Sequence, residues 1–198
     1  MPPTPADRIT LPSAGEIAER LVAPRGPATQ VPRGIRMAGV LLLLFDVDGE
    51  PHTILTRRSD DLSHHPGQVS LPGGRYEPSD GDLATTALRE THEEIGIAPE
   101  AVRIVRQLSS VHTRVSSFLV TPFVGVATGP IEPVPCDREI ARVMQVSIAD
   151  ILAADARLPR FPTIATLRYP LDNEDVWGAT ARILSDFTRV LRRVLAAP

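Results

Sequence analysis

One predicted helix, bounded by Asp82 and Gly96, constrains this chain more than any other feature. Aspartate favours a helix start and glycine favours a helix end. At about 100° per residue, one face of this helix carries Ala84, Leu88, Thr91 and Ile95. Glu90, Glu93 and Glu94 are spaced i, i+3, i+4, which places three carboxylates together on the other side. The sequence therefore predicts a helix that packs on a core and presents a cluster of negative charge.

The three glutamates indicate a binding site for a hard divalent cation. Like charges on neighbouring turns of a helix repel by roughly a few tenths of a kcal/mol per pair, so a cation would relieve the cluster. Mg²⁺ and Mn²⁺ prefer oxygen ligands, and Mg²⁺ is commonly held by few carboxylates together with substrate phosphates. A Glu-x-x-Glu-Glu segment alone is most often a solvated helix face. Here Arg89 and the Gly73–Gly74 turn lie close by in the sequence, and they favour a metal site that acts on a phosphate-containing substrate.

Composition argues against several classes of function. The 198 residues suffice for one domain with a sizeable core, and the net charge of −3 provides no broad basic field for nucleic acid. The longest apolar run, residues 38–45, is too short to span a membrane, and the N-terminus lacks the layout of a signal peptide. The single cysteine, Cys136, permits no internal disulfide, which fits a reducing compartment. We therefore expect a cytoplasmic protein that binds neither nucleic acid nor membrane.

The order of predicted elements favours an α/β domain over residues 35–198, preceded by an N-terminal arm with a short helix over residues 1–34. The short helix is predicted over residues 13–22 and is followed by a proline-rich link over residues 24–33. Strands are predicted over residues 38–45, 52–57, 69–71, 102–111, 118–127 and 142–148. Further helices are predicted over residues 147–154 and, from helical spacing of apolar residues, at the C-terminal end. Trp177 is predicted to pack in the core rather than to stack on a base.

Residues 74–97 resemble the Nudix box, G-x5-E-x7-R-E-U-x-E-E-x-G-U, in which U is aliphatic. The second half matches in register through Arg89, Glu90, Glu93, Glu94, Gly96 and Ile97. Two positions depart from the pattern. Thr91 stands at an aliphatic position, and the acid of the first half is Asp80, with eight rather than seven residues before Arg89. The resemblance implies a Nudix-type α/β/α sandwich with a mixed β-sheet.

The segment just upstream resembles the signature of coenzyme A diphosphatases, roughly LLTxRSxxxRxxxGxxxFPGG. It matches in register at Arg58, Ser59, Gly67 and the run Pro72-Gly73-Gly74. Ser63 stands where the signature has its second arginine, and Leu71 stands where it has phenylalanine. Residues 137–140 and 176–184 also look like that subfamily, so the resemblance covers about residues 36–190.

The resemblance implies roles for the matched residues. Mg²⁺ or Mn²⁺ would be held by Glu90, Glu94, Glu93 and the main-chain carbonyl of Gly74. Catalysis would involve Glu90, Glu93, Arg89 and Glu139, with Arg89 orienting a glutamate and Glu139 acting as a base or a further ligand. The substrate would be bound by Arg58, Ser59, Gly67 and Gly73. The adjacent His64 and His65 are not expected to be metal ligands, because hard cations do not need imidazole.

We therefore expect a metal-dependent hydrolase that cleaves the diphosphate of coenzyme A or its derivatives to 3′,5′-ADP and 4′-phosphopantetheine. One alternative is a Nudix hydrolase of another nucleoside diphosphate derivative, such as ADP-ribose, NADH or a dinucleoside polyphosphate. A second alternative is a non-catalytic nucleotide-binding Nudix module, which would not need a full set of metal-binding glutamates. In each case the partner is a small molecule with a diphosphate, and a homodimer is left open.

Overall fold

The computed structural model of this protein describes residues 10–22, 34–61, 66–113, 117–136, 139–158 and 166–197. The strands are β1 (Arg36–Val47), β2 (Glu50–Arg58), β3 (Val69–Ser70), β4 (Gly73–Arg75), β5 (Val102–Gln107), β6 (Val111–His112), β7 (Phe118–Ala127), β8 (Ile140–Ser147), β9 (Tyr169–Leu171) and β10 (Glu174–Val176). The helices are α1 (Ala14–Leu21), α2 (Leu83–Ile95), α3 (Ile148–Ala156) and α4 (Gly178–Leu195). No helix in these ranges is long and apolar enough to cross a membrane. The start of the predicted arm, the predicted link and the positions of Ser63, His64 and His65 lie outside the described residues, as do Asp137 and Arg138.

Strand β1 organises the sheet because it has partners along both edges. Strand β7 runs parallel to it over most of its length. On the other edge β1 pairs antiparallel with β4 and, at its far end, with β2. Strand β2 continues to pair with β3 and β8, whereas β5 and β6 pair with β7. The chain between β3 and β4 thus crosses from the β2 side of the sheet to β1.

Helices cover both faces of this sheet. Helix α2 lies on one face, where Leu41 and Leu43 of β1 are buried in its cluster. Helices α1, α3 and α4 lie on the other face, in the cluster that contains Leu42 and Leu44. Because successive side chains of a strand point to opposite faces, a strand covered on both sides is apolar throughout its covered part, as β1 is over residues 37–45. This arrangement confirms the predicted α/β/α sandwich with a mixed sheet.

Helix α1 packs into the same core, although it precedes the boundary that we predicted at residue 34. Its residues Ile17 and Leu21 are fully buried. The helix begins at a reciprocal cap in which Ser13 and Glu16 each accept a hydrogen bond from the other's main chain. The helix is therefore fixed both by its own cap and by contact with the sheet.

Helix α2 begins and ends where predicted, but its buried face differs from the prediction. The Asp82 carboxylate accepts a hydrogen bond from the Thr85 N–H at 2.8 Å, and Gly96 closes the helix with φ of +73°. Of the four residues expected to face inward, Thr91 and Ile95 are buried, whereas Ala84 and Leu88 are half-buried and pack against the same cluster. The buried stripe consists of Thr86, Ala87, Thr91, Glu94 and Ile95. The prediction that Glu94 points away from the core is therefore wrong.

A glycine in β1 explains the orientation of α2. A Cβ on Gly39 would lie 2.2 Å from the carbonyl oxygen of Leu83 and 3.1 Å from the nitrogen of Ala87. The backbone of α2 therefore rests directly on β1, with no side chain between them. This contact centres the buried stripe on Ala87, and Glu94, two turns further along, falls in the same stripe.

Other elements also depart from the predictions. The strand expected over residues 102–111 is divided into β5 and β6, which both pair with β7; residues 108–110 between them lie opposite only two residues of β7. Strand β4 and the β9–β10 hairpin were not predicted. Trp177 does not pack in the core as predicted, since it is 47% exposed.

Candidate functional site

The Gly73–Gly74 turn meets helix α2 at the centre of the candidate site. In β4, Gly73 and Gly74 pair with Val40 and Gly39 of β1, beside the place where α2 rests on that strand. The Gly73 N–H donates a hydrogen bond to Glu94 Oε2 at 3.1 Å. A Cβ on Gly74 would lie 2.4 Å from Oε2 of Glu90. The absence of side chains on the two glycines thus brings the main chain against two carboxylates.

Glu94 is buried, with 6% exposure, and it forms no ion pair among the described residues. Burial raises the pKa of Glu94 to about 7; the hydrogen bond from Gly73 and the charge of Arg58 lower it, and the charge of Glu90 raises it. Burial also raises the pKa of Glu90, which the neighbouring Arg89 opposes. Glu90 is paired with Arg89, whereas Glu94 has no cation of its own, so the two carboxylates together favour binding of a proton or a cation.

Arg89 donates hydrogen bonds to several oxygens beside Glu90. Its Nε and Nη2 donate to the two oxygens of Asp80, at 2.7 Å and 3.2 Å. Nη2 also donates to Glu90 Oε1 at 3.0 Å and to the main-chain oxygen of Arg75 at 3.1 Å. Nη1 donates to Glu93 Oε2 at 3.0 Å, but the Glu93 side chain remains 57% exposed. The guanidinium therefore orients Glu90 and ties α2 to β4.

Asp80 is the anchor that holds Arg89. It also accepts hydrogen bonds from the Glu77 N–H at 2.9 Å and from Thr86 Oγ1 at 2.8 Å. The hydrogen bond from Arg89 holds the pKa of Asp80 at about 2. The next residue, Gly81, has φ of +76°, so the chain can turn sharply into α2.

Thr91 fits the helix at a position where the Nudix box has an aliphatic residue. The side chain is 1% exposed, and its Oγ1 donates to the carbonyl of Ala87 at 2.6 Å. The hydroxyl is thus satisfied within the helix, and the remaining part of the side chain packs as a small apolar group.

Arg58 ends β2 beside the same site. Its N–H donates to the carbonyl of Gln68 at 3.0 Å. Its side-chain Nε is buried and has no hydrogen-bond partner in the described part of the chain, yet its charge acts on Glu94. A buried donor that lacks a partner costs roughly 1–3 kcal/mol. The position of Arg58 is therefore suited to an anionic ligand.

Gly67 lies against the Arg57–Asp60 ion pair rather than against Glu90 and Glu94. It has φ of +65°, and a Cβ there would lie 2.8 Å from Oδ1 of Asp60 and 3.2 Å from Nη2 of Arg57. Arg57 pairs with Asp60 at 2.9 Å and with Glu174 of β10 at 3.3 Å. Gly67 thus allows the chain to close over an ion-pair cluster that holds the end of β2.

The segment before β8 brings Glu139 towards the site. The Cys136 N–H donates to the carbonyl of Glu94, and the Ser59 N–H donates to the carbonyl of Glu139, both at 2.8 Å. The Glu139 side chain is exposed, and its charge contributes to the raised pKa of Glu94. Main-chain hydrogen bonds therefore place Ser59 and Glu139 together, near the carboxylate of Glu94.

The donor set fits a hard divalent cation held by few protein ligands. In the described ranges no three side chains of His, Cys, Asp or Glu are arranged around a common metal position. Glu90 and Glu94 supply two oxygen donors beside the main chain of Gly74, whereas Glu93 lies on the solvent side. Mg²⁺ commonly keeps several waters and completes its shell with substrate phosphates. Two carboxylates and a nearby carbonyl are therefore compatible with such an ion.

Two contributors to the site were not predicted from the sequence. No role was assigned to Asp80 beyond its place in the Nudix box, and Gly39 was not singled out. A lone glycine inside an otherwise apolar strand is the signal for Gly39, because it often marks a close backbone approach.

The chain is similar to a known protein family and to curated relatives. The sequence profile described as "NUDIX domain" matches residues 35–167. A protein of Enterobacter sp. (strain 638), named "Uncharacterized Nudix hydrolase NudL", is 34% identical over 160 residues, covering 76% of this chain and 80% of that protein. A protein of the same name from Yersinia pestis (strain Pestoides F) is 33% identical over 158 residues, covering 75% and 76% of the two chains.

Solved structures share the fold at lower identity. The Nudix hydrolase RenU from M. smegmatis has a TM-score of 0.54 and 22% identity, covering 80% of this chain and 84% of that one. A C. elegans Ap4A hydrolase in a binary complex has a TM-score of 0.55 and 17% identity, covering 82% and 98%. Nudix enzymes generally require divalent metal ions, which agrees with the donor set described above. The chain belongs to the Nudix family and is a hydrolase of the class that cleaves pyrophosphate bonds in nucleoside diphosphate derivatives.

Proposed function

We propose that this Nudix hydrolase cleaves the diphosphate of coenzyme A or its derivatives to 3′,5′-ADP and 4′-phosphopantetheine. The observation that carries the proposal is Arg58, a cation with a buried, unpartnered Nε beside Glu94. It occupies the register of the coenzyme A signature, together with Ser59 and the Gly73–Gly74 turn. A guanidinium in this position can bind a phosphate through its fork of donors.

We propose Glu90, Glu94 and the Gly74 carbonyl as the residues that hold Mg²⁺ or Mn²⁺, with Glu93 beside them. Such an ion, when bound, neutralises charge on the diphosphate and acidifies water. Arg89 keeps Glu90 in place, and the Gly73 N–H keeps Glu94 in place. These contacts already restrict the two carboxylates, so they lose less conformational freedom when the metal ion binds.

Glu139 is the proposed base. Its exposed carboxylate is free to approach a substrate water, and its neighbouring main chain is fastened to Ser59 and to the end of α2. A base must reach the proton it removes before its pKa matters. Ser59, Gly67 and Gly73 are proposed to shape the substrate site mainly through the main chain.

We also propose that the catalytic domain begins at about residue 35, as the start of the family match supports. Residues 1–34 would then contribute α1 as a helix packed on that domain. A cytoplasmic location and a homodimer stay predictions.

The proposed function is tested with a substrate panel. Purified protein is incubated with coenzyme A, ADP-ribose, NADH and a dinucleoside polyphosphate, each with Mg²⁺ or Mn²⁺, and products are identified by mass. We expect 3′,5′-ADP from coenzyme A at the highest kcat/KM, and no turnover by a Glu94→Gln control. Preferred cleavage of another compound would replace coenzyme A as the substrate. Binding without cleavage of any compound would favour a non-catalytic module.

Arg58 provides a sharper test of the coenzyme A proposal. If it binds a non-reacting phosphate, Arg58→Ala should raise KM by roughly 10- to 100-fold and spare kcat, because that contact is equal in ground and transition states. The assay compares coenzyme A with dephospho-coenzyme A, which lacks the 3′-phosphate. A larger loss on coenzyme A would assign Arg58 to the 3′-phosphate, and an equal loss would assign it to the diphosphate. Arg58→Lys is the control that keeps the charge without the fork, and an unchanged KM for Arg58→Ala would remove Arg58 from the site.

A further inference from the structure

Trp177 is an exposed aromatic residue at a position that does not favour it. It is the only tryptophan in the chain, and it is 47% exposed. It is also the N-cap residue of α4, where it provides no side-chain hydrogen bond to the helix. Serine, threonine, aspartate and asparagine are the residues that stabilise a helix at this position. Neither burial nor capping therefore accounts for a tryptophan here.

The main chain around Trp177 is firmly held. The β9–β10 hairpin that precedes it turns through Asp172 and Asn173, with φ of 49° and 64°. Arg142 of β8 pairs with Asp172 at 2.6 Å. A second ion pair, described above, joins β10 to the end of β2. The buried side chains of Tyr169, Leu171 and Val176 anchor the hairpin in the core, and the two ion pairs add to this, so the main chain that leads into Trp177 is fixed.

The start of α4 lies against the segment that leads into the candidate site. Thr180 Oγ1 donates to the carbonyl of Val69 at 3.2 Å. A Cβ on Gly178, next to Trp177, would lie 4.0 Å from Nε2 of Gln68. The carbonyl of Gln68 accepts the hydrogen bond from the Arg58 N–H. The segment around Gln68 therefore lies between Trp177 and Arg58, whose Nε has no partner in the described part of the chain.

We infer that Trp177 is a stacking surface for the purine base of the substrate. A purine offers a flat π face of similar size to an indole, and stacking of a base on an aromatic side chain is a recurrent source of affinity. In this arrangement the base lies on Trp177, and the phosphates extend past Arg58 towards Glu90 and Glu94. The inference rests on the proposed function, because it assumes that the substrate carries a nucleotide.

Intrinsic fluorescence tests the inference directly, because the emission comes from this one tryptophan. The experiment uses the full-length wild-type protein, because the two ligands below lack the diphosphate bridge and cannot be cleaved. 3′,5′-ADP and 4′-phosphopantetheine, the two halves of coenzyme A, are titrated separately, and acrylamide then measures the accessibility of the indole. We expect 3′,5′-ADP to change the emission and shield the indole, and 4′-phosphopantetheine to do neither.

Each other outcome overturns the inference. Shielding by 4′-phosphopantetheine alone would place the other half of the substrate on the indole. Shielding that depends on protein concentration without any nucleotide would indicate contact between two copies of the chain. An emission unchanged by 3′,5′-ADP, in protein that still binds it by calorimetry, would separate Trp177 from the base.

Variants of Trp177 provide a second readout. Trp177→Ala in the otherwise wild-type protein should raise KM by roughly tenfold to a hundredfold with little change in kcat or melting temperature. Trp177→Phe should recover most of this loss, since it keeps an aromatic face. An equal loss in both variants would contradict stacking. If coenzyme A is cleaved but 3′,5′-ADP leaves the emission unchanged, only this inference fails; if another adenine nucleotide is cleaved and shields the indole, only the coenzyme A proposal fails.

Discussion

The two helical layers each contain a largely buried carboxylate, and they compensate it very differently. In the α3–α4 layer, Asp155 accepts a hydrogen bond from Tyr169 Oη at 2.5 Å and forms an ion pair with Arg192. In the α2 layer, Glu94 accepts one hydrogen bond, from the Gly73 main chain, and has no ion pair within the described ranges. The Asp155 side chain is 10% exposed and Glu94 is 6% exposed, so burial alone does not distinguish them.

The difference indicates two uses of a buried charge. The partners of Asp155 come from β9 and α4, so its charge reinforces the packing of three elements that already share one core. The Glu94 carboxylate contacts one hydrogen-bond donor, the Gly73 N–H, and its burial opposes ionisation. A carboxylate kept in that state reduces the stability of the fold, but it remains available to an external cation. We therefore expect Asp155 to control stability and Glu94 to control activity.

The largest expected effect is the loss of turnover in Glu94→Gln. An amide keeps the shape and can still accept from Gly73, but it removes a charged ligand that would neutralise the reacting phosphates. We expect kcat to fall about 10³-fold, which corresponds to about 4 kcal/mol in the barrier. The free energy of unfolding without metal should be equal or higher, because a poorly compensated buried charge is removed. Near-normal turnover of Glu94→Gln at saturating Mg²⁺ would contradict the assignment of Glu94 to activity.

The matched change in the other layer is Asp155→Asn. It should lower the free energy of unfolding by about 3 kcal/mol, because two hydrogen bonds that involve charge are weakened together. Urea denaturation measures this loss, and kcat/KM on the preferred substrate should stay near that of the wild type. A large loss of activity in a protein that is still folded would contradict the assignment of Asp155 to stability.

Divalent metal should stabilise the fold in a way that depends on Glu94 and not on Asp155. At a free Mg²⁺ concentration about 100-fold above its dissociation constant, binding should add about 2.7 kcal/mol to the free energy of unfolding. For a chain of this length that corresponds to a rise of about 5–10 °C in Tm, measured with and without EDTA. Asp155→Asn should show the same rise, and Glu94→Gln should show little of it. An equal rise in all three proteins would place the metal elsewhere.

The smallest effect concerns Asp80, whose charge is compensated although it lies beside the same helix as Glu94. Its pKa is lowered to about 2, so its contribution to stability is present above the ordinary aspartate pKa of about 4 and is lost as the pH falls towards 2. Asp80→Asn should be less stable than the wild type by about 2 kcal/mol at pH 7. Thermal unfolding from pH 7 to pH 2 should show this difference shrink with acidification. A difference that is independent of pH would mean that the Asp80 charge is not responsible.

Local patterns were sufficient to predict much of this fold. The ends of α2 follow from Asp82 and Gly96, which act within the helix itself. The cap of α1 and the course of β1 likewise depend on neighbouring residues or on an unbroken apolar run. These signals do not require knowledge of which distant segments meet.

The departures arise where distant segments meet. Helical spacing grouped Glu94 with Glu90 and Glu93, but the orientation of α2 is set by Gly39, more than 40 residues earlier in the chain. The ion pair between Arg89 and Asp80 depends on the tight turn before α2, and the geometry of this turn is not evident from the residue types alone. Trp177 directly follows the unpredicted β9–β10 hairpin, whose position depends on contacts with distant strands. Periodicity ranks the faces of a helix, but only packing determines which face is covered.

The contact between Gly39 and α2 has a consequence for how this enzyme can change through evolution. The acidic helix is positioned by main-chain contacts with β1 and with the Gly73–Gly74 turn. The segments around Arg58 and Trp177 are positioned by other contacts, at the end of β2 and after the β9–β10 hairpin. Substitutions in those segments can therefore alter which compound is accepted while the acidic helix keeps its place. We therefore expect selection to act on substrate choice and on bond cleavage as separate traits, with Gly39, Gly73 and Gly74 as positions at which any side chain would disturb the acidic helix.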